Sequence, residues 1–100
     1  MKLSKLALAI SSVRNKYGID ATDLLVLNDI MQVKHTAGEV TIMEIVDKCK
    51  AASPATIHAR IKSLCVKGML VKVEHASNLR LRMLEKGPNY EKLIDILEAA

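Results

Sequence analysis

The chain has 100 residues, half of them hydrophobic, and carries a net charge of +4. That length suits one domain with a modest core, and the composition is too apolar for a disordered segment. With no Phe and no Trp, the core falls to Leu, Ile, Val, Met and Ala, and no apolar run approaches the roughly 20 residues of a membrane span.

The first expected helix runs from about Leu3 to Tyr17, where Leu3, Leu6, Ala7, Ile10, Val13 and Tyr17 recur at three- and four-residue steps and form one apolar stripe. Lys2 and Lys5 precede a short apolar run, Leu6 to Ile10, but Arg14 and Lys16 follow too closely for a secretion signal. The chain is therefore expected to be soluble and cytoplasmic, without a membrane partner. Gly18 ends this helix. Asp20 is an N-cap for the second, with Asp23 in its first turn. That helix reaches about His35, and its apolar residues from Leu24 to Val33 cover more than one face, as in a central helix. Gly38 breaks the chain, and Glu39-Val40-Thr41 are expected as a short strand.

Thr41 and Glu44 have the spacing of a capping box. Ile42, Ile45, Val46 and Cys49 are the expected buried face of a third helix. A short turn at Lys50-Ala51-Ala52 leads to Ser53, which caps a fourth helix with Pro54 at its first position, where the missing N–H costs nothing. Gly68 is its expected C-cap. Met69, Val71 and Val73 then alternate with Leu70, Lys72 and Glu74, and Leu79, Leu81 and Met83 with Arg80, Arg82 and Leu84. A period of two predicts a hairpin with the first-named sets inward, and Ser77 and Asn78 suit its turn. A last helix follows Gly87-Pro88, with Tyr90, Leu93, Ile94 and Leu97 as its stripe.

Helix, tight turn, helix, hairpin is the order of a winged helix-turn-helix. The expected fold is mainly α with a small β-hairpin: a single winged-helix domain over 1–100, with the helix-turn-helix and wing at 41–86 and extra terminal helices at 1–19 and 88–100. Charge follows the same division. Positions 50 to 86 hold eight basic residues (50, 60, 62, 67, 72, 80, 82 and 86) against two acidic ones, a balance of +6 that leaves −2 for the remainder. Such an asymmetry is expected where one face meets phosphate. The alternative is a solvated basic surface.

On a helical wheel Ile57, Ile61 and Leu64 share one side. Ala55, Ala59 and Lys62 lie opposite, with His58 on the flank. Small outward residues let a helix backbone approach base edges in a major groove. Lys62 and His58 are then the longest donors, and Thr56 faces a phosphate or a thymine methyl. Arg80 and Arg82 are expected to point outward from the wing toward phosphate or the minor groove. Ser53, at a helix N-terminus, is expected as a phosphate ligand as well as a cap. The expected DNA-binding set is thus Ser53, Ala55, Thr56, His58, Ala59, Lys62, Arg80 and Arg82. The bland reading of Ala55 and Ala59 is that they are good helix formers.

The runs Ser53-Pro54-Ala55-Thr56-Ile57, Ile61-Lys62-Ser63-Leu64 and Lys67-Gly68-Met69-Leu70-Val71 resemble the recognition helix of the MarR-type winged-helix regulators. Leu84-Glu85-Lys86-Gly87 is similar to that family's motif between wing and C-terminal helix, and residues 20 to 98 can be laid on its order of elements. The resemblance implies dimeric binding to double-stranded DNA, often at palindromes. Many members respond to small ligands, but no effector is carried over.

The apolar stripes of the two terminal helices have little to cover them in so small a domain, which predicts a homodimer through residues 3 to 17 and 89 to 98; the alternative is that they fold back on their own core. Cys49 and Cys65 lack metal or redox spacing and read as core thiols. His35, His58 and His75 have no partner at ligand spacing, and Ser11-Ser12 has no neighbouring base. No cofactor, metal or catalytic residue is expected, and the chain does not read as an enzyme. The leading expectation is a sequence-specific transcriptional regulator; the rival is a winged-helix protein-interaction module without DNA specificity of its own.

Overall fold

The computed structural model describes residues 3–38, 40–74 and 82–99. The order of elements is α1 (Leu3–Tyr17), α2 (Ala21–Ala37), α3 (Ile42–Lys48), α4 (Pro54–Val66), β1 (Leu70–Glu74), β2 (Arg82–Lys86) and α5 (Tyr90–Glu98). This is a winged helix-turn-helix with an added helix at each end. No helix among the described residues is long and apolar enough to cross a membrane.

The helix starts are set by local chemistry. The Asp23 N–H donates to Asp20 Oδ1 at 2.8 Å, and the Asp20 N–H donates back to Asp23 Oδ2 at 3.1 Å, a reciprocal capping box that opens α2. Thr41 and Glu44 repeat the arrangement at α3. There the Thr41 N–H points to the Glu44 carboxylate at 3.3 Å, so it has none to offer a sheet. Accordingly Val40 and Thr41 form no strand, contrary to expectation; Val40 is instead buried in the core, and Glu39 lies outside the described residues. Helix α2 runs two residues beyond His35, to Ala37.

The core gathers Val13 of α1, Ile19 of the link that follows it, Val26, Leu27 and Ile30 of α2, Ile45 and Val46 of α3, Ile57, Ile61 and Leu64 of α4, Leu70 and Leu84 of the hairpin, and Leu93 of α5. Burying each such Ile or Leu stabilises by roughly 1.5–3 kcal/mol. The apolar stripe of α1 is rotated from the expected one. Ala9 and Val13 are buried, whereas Ala7 and Leu3 stay in solvent. The terminal helices pack on each other within the chain.

Helix α4 ends in a Schellman motif. The Met69 N–H donates to the Leu64 carbonyl at 2.9 Å and the Gly68 N–H to that of Cys65 at 3.1 Å, with Gly68 at φ +79° supplying the left-handed step. Lys67 is thus the C-cap and Gly68 the residue after it. Strands β1 and β2 pair antiparallel with Lys72 opposite Leu84 and Glu74 opposite Arg82. The second strand reaches Lys86, past the expected end at Leu84.

The expected alternation fails at the hairpin base. Leu70 and Leu84, assigned outward, are fully buried, while Val71 and Val73, assigned inward, are half-buried. The base is enclosed by α3 and α4, so both its faces lose water and the period of two holds only toward the tip. Gly87 passes against the Gly68 backbone: a Cβ there would collide with the Gly68 carbonyl oxygen. Asn89 completes this junction, its side-chain amide donating to the Lys67 carbonyl at 3.0 Å and its N–H to that of Gly68 at 2.8 Å.

Candidate nucleic-acid interface

Because Ile57, Ile61 and Leu64 are drawn into the core, the opposite side of α4 is left in solvent. Ala55, His58, Ala59, Lys62 and Val66 are exposed along it. The helix has 13 residues, about 20 Å of rod at ~1.5 Å per residue. Ser53 is exposed and Thr56 half-buried. The Ser53 Oγ accepts the Thr56 N–H at 3.3 Å and donates to Thr56 Oγ1 at 3.0 Å, so both hydroxyls are engaged in the cap.

Arg82 is exposed on β2 and pairs across the hairpin with Glu74 at 3.2 Å. Arg80 lies outside the described residues. Val66, 83 % exposed, was not among the expected site residues. It falls seven positions after Ala59 on the same side of α4, and that spacing is the sequence signal that finds it.

Two of the basic residues in the 50–86 segment do not belong to this face. Arg60 Nη1 donates to both oxygens of Asp20, at 3.2 and 3.0 Å, and to Asp23 Oδ1 at 3.1 Å. Lys67 Nζ donates to the Gly18 carbonyl at 2.6 Å and stands 3.5 Å from Asp23 Oδ2. Asp23 is wholly buried. The middle and end of α4 are therefore clamped to the start of α2. The Asp23 N–H, opposed by burial and reinforced by Arg60 and Lys67, holds the Asp20 carboxyl below its ordinary range.

Two further polar ties connect α2 to the same module. Asp29 Oδ2 accepts the N–H groups of Lys50 and Ala51, at 2.6 and 3.1 Å. Lys34 Nζ donates to the Leu84 carbonyl of β2 at 2.6 Å and stands 3.5 Å from Glu85.

Both cysteines are free; Cys49 is buried and Cys65 half-buried. Burial, with the neighbouring Asp29 charge, pushes the Cys49 thiol up to about 11, and burial also raises that of Cys65, so both stay protonated at neutral pH. Among the described residues no group of three or more His, Cys, Asp or Glu is placed to hold a metal ion.

Helices α1, α2 and α5 line an open apolar groove of about 390 Å³, with Leu6, Ile10, Leu24, Met31, Ile94 and Leu97 along it. Leu3 and Leu8 of α1 and Leu25 of α2 remain largely in solvent.

No protein-family model and no curated protein sequence matches the chain. Its structure is similar to one solved for BpsR of Bordetella bronchiseptica, with a TM-score of 0.56 at 16 % identity, over 96 % of this chain and 67 % of the other. The DNA binding of BpsR is regulated by 6-hydroxynicotinic acid. At this identity the likeness establishes the fold.

Proposed function

We propose that this chain is a MarR-like transcriptional regulator that binds double-stranded DNA as a homodimer, with α4 in the major groove and the hairpin as its wing. The observation that carries the reading is the solvent face of α4: two alanines that permit close approach, with His58 and Lys62 as donors, on a helix whose other side is anchored in the core. The DNA-binding regulator BpsR shares this fold, which supports the reading. In this arrangement Lys62 and His58 address base edges, Ala55 and Ala59 admit the backbone, and Ser53 and Thr56 meet phosphate near the helix N-terminus. Arg82, with Arg80, reaches the flanking backbone or minor groove.

All of 1–100 acts as one unit in this reading, its terminal helices at 3–17 and 89–98 forming the contact between copies. The uncovered apolar groove beside α1 and α5, with Leu3 and Leu8 in solvent, supports that assignment. Selection from random duplexes tests the proposal. The wild-type chain is expected to enrich a palindrome and to bind more weakly as salt rises. Lys62→Ala is expected to change the sequence preference, and Arg82→Ala to weaken all duplexes alike. Absence of enrichment at low salt rejects the DNA reading in favour of a protein-interaction module, and a monomer in analytical ultracentrifugation at micromolar concentration rejects the dimer.

A further inference from the structure

The turn between α3 and α4 decides where the first, base-facing residues of α4 stand. It is held in an unusual way. The backbone bonds that bracket it run from the Cys49 N–H to Ile45 and from the Ile57 N–H to Ser53. Between them, Lys50 and Ala51 donate to a single oxygen, Oδ2 of Asp29, at 2.6 and 3.1 Å. Lys50 and Ala51 themselves are exposed, although Cys49 before them is buried in the core and Ala52 after them packs against it; Leu25, Asn28, Asp29, Lys50 and Ala51 line a shallow depression. Farther along, α4 is tied to the same helix through Arg60 and Lys67. Beside the shared core, polar ties thus join α2 to this module at two places, and the one ahead of α4 is a single carboxylate.

We propose that Asp29 is a positioning residue for DNA reading: by fixing the backbone at Lys50 and Ala51 it sets the entry of α4, and so the placement of Ala55, His58, Ala59 and Lys62 against the bases. The inference rests on the DNA-binding reading above and deepens it. A carboxylate accepting two consecutive N–H groups makes short, charge-assisted bonds. Asparagine keeps an oxygen in the same place, whereas alanine leaves both donors to solvent. Loosening the turn removes register but leaves the charges that attract any duplex.

The test compares wild type, Asp29→Ala and Asp29→Asn, each at a temperature where circular dichroism shows it fully folded. Two duplexes are used, the one enriched by the wild type and a scrambled one. Asp29→Ala is expected to lose about tenfold or more on the enriched duplex, roughly one well-placed base contact, while binding the scrambled duplex within about twofold of wild type. Asp29→Asn is expected to recover most of the loss. Amide hydrogen exchange is expected to accelerate at Lys50 and Ala51 in Asp29→Ala and to stay near wild type in Asp29→Asn. A merely destabilising substitution would lower binding to both duplexes together, and that result overturns the proposal. So does Asp29→Ala binding the enriched duplex as wild type does, or unchanged exchange at Lys50 and Ala51. If the wild-type chain enriches no duplex, the DNA reading fails and the role of Asp29 in it fails too; the exchange data still report separately whether the carboxylate holds the turn.

Discussion

Replacing Asp23 by alanine removes the one fully buried charged side chain among the described residues. It breaks the pair with Arg60 at 3.1 Å, the pair with Lys67 at 3.5 Å and the return half of the α2 capping box. Breaking a buried ion pair from one side costs about 3–5 kcal/mol. Two facts bring this case below that range. The Arg60 and Lys67 side chains are 32 % and 27 % exposed and can take up water, and Arg60 keeps Asp20 at 3.0 Å. A loss of about 2–3 kcal/mol remains, counting the capping bond at about 1 kcal/mol. For a domain of this size that lowers Tm by roughly 10–20 °C. Urea unfolding followed by far-UV circular dichroism gives the number directly. Asp20→Ala is the control: its side chain is 44 % exposed, and its loss is expected to stay near the ~1 kcal/mol of an N-cap. An Asp23→Ala variant within about 0.5 kcal/mol of wild type would show that the clamp between α2 and α4 does not hold the fold, and would refute the argument that burial makes Asp23 the stronger partner.

Gly87→Ala is expected to destabilise by about 1–3 kcal/mol or more, measured by the same unfolding, because the new methyl meets the Gly68 carbonyl oxygen and the Leu70 nitrogen, backbone atoms that no rotamer change can move; a variant as stable as wild type would show that the hairpin base and α5 slide freely. Tyr17→Phe is expected to be neutral or stabilising by up to about 1 kcal/mol, since the Tyr17 hydroxyl is buried without a hydrogen-bond partner among the described residues; a loss of stability would refute this. The Asp20 carboxyl is held below its ordinary 3.8, so its contribution is present above that value and fades as pH falls through the lower folded-state value. Acid titration of stability is therefore expected to be flatter below pH 4 in Asp20→Asn than in wild type, and identical slopes would exclude a role for this carboxyl.

Features written in short spacings were legible in the sequence. Thr41 and Glu44, Asp20 and Asp23, and Ser53-Pro54 announce helix starts within four residues, and the structure has α2, α3 and α4 starting there. Ile57, Ile61 and Leu64 announce the inward face of α4 by their period alone, and all three are buried. What depends on distant partners was not legible. Arg60 and Lys67 counted as part of a basic surface because nothing near them signals carboxylates some 40 positions earlier. Asp29 was hidden too, 21 and 22 positions before its partners, which are backbone groups and so leave no mark on residue type. Leu70 and Leu84 were assigned to solvent because alternation presumes one dry side, and the hairpin base has two.

The inward turn of Arg60 and Lys67 alters how the chain presents itself to a polyanion. A duplex sheds condensed counterions only against cations that reach its phosphates, about 0.9 for each phosphate neutralised. Two guanidinium or ammonium groups locked onto aspartates release none. The +6 counted over positions 50–86 therefore overstates the cations that segment has available, and under the proposed DNA reading discrimination between sequences draws correspondingly more on the donors exposed on α4.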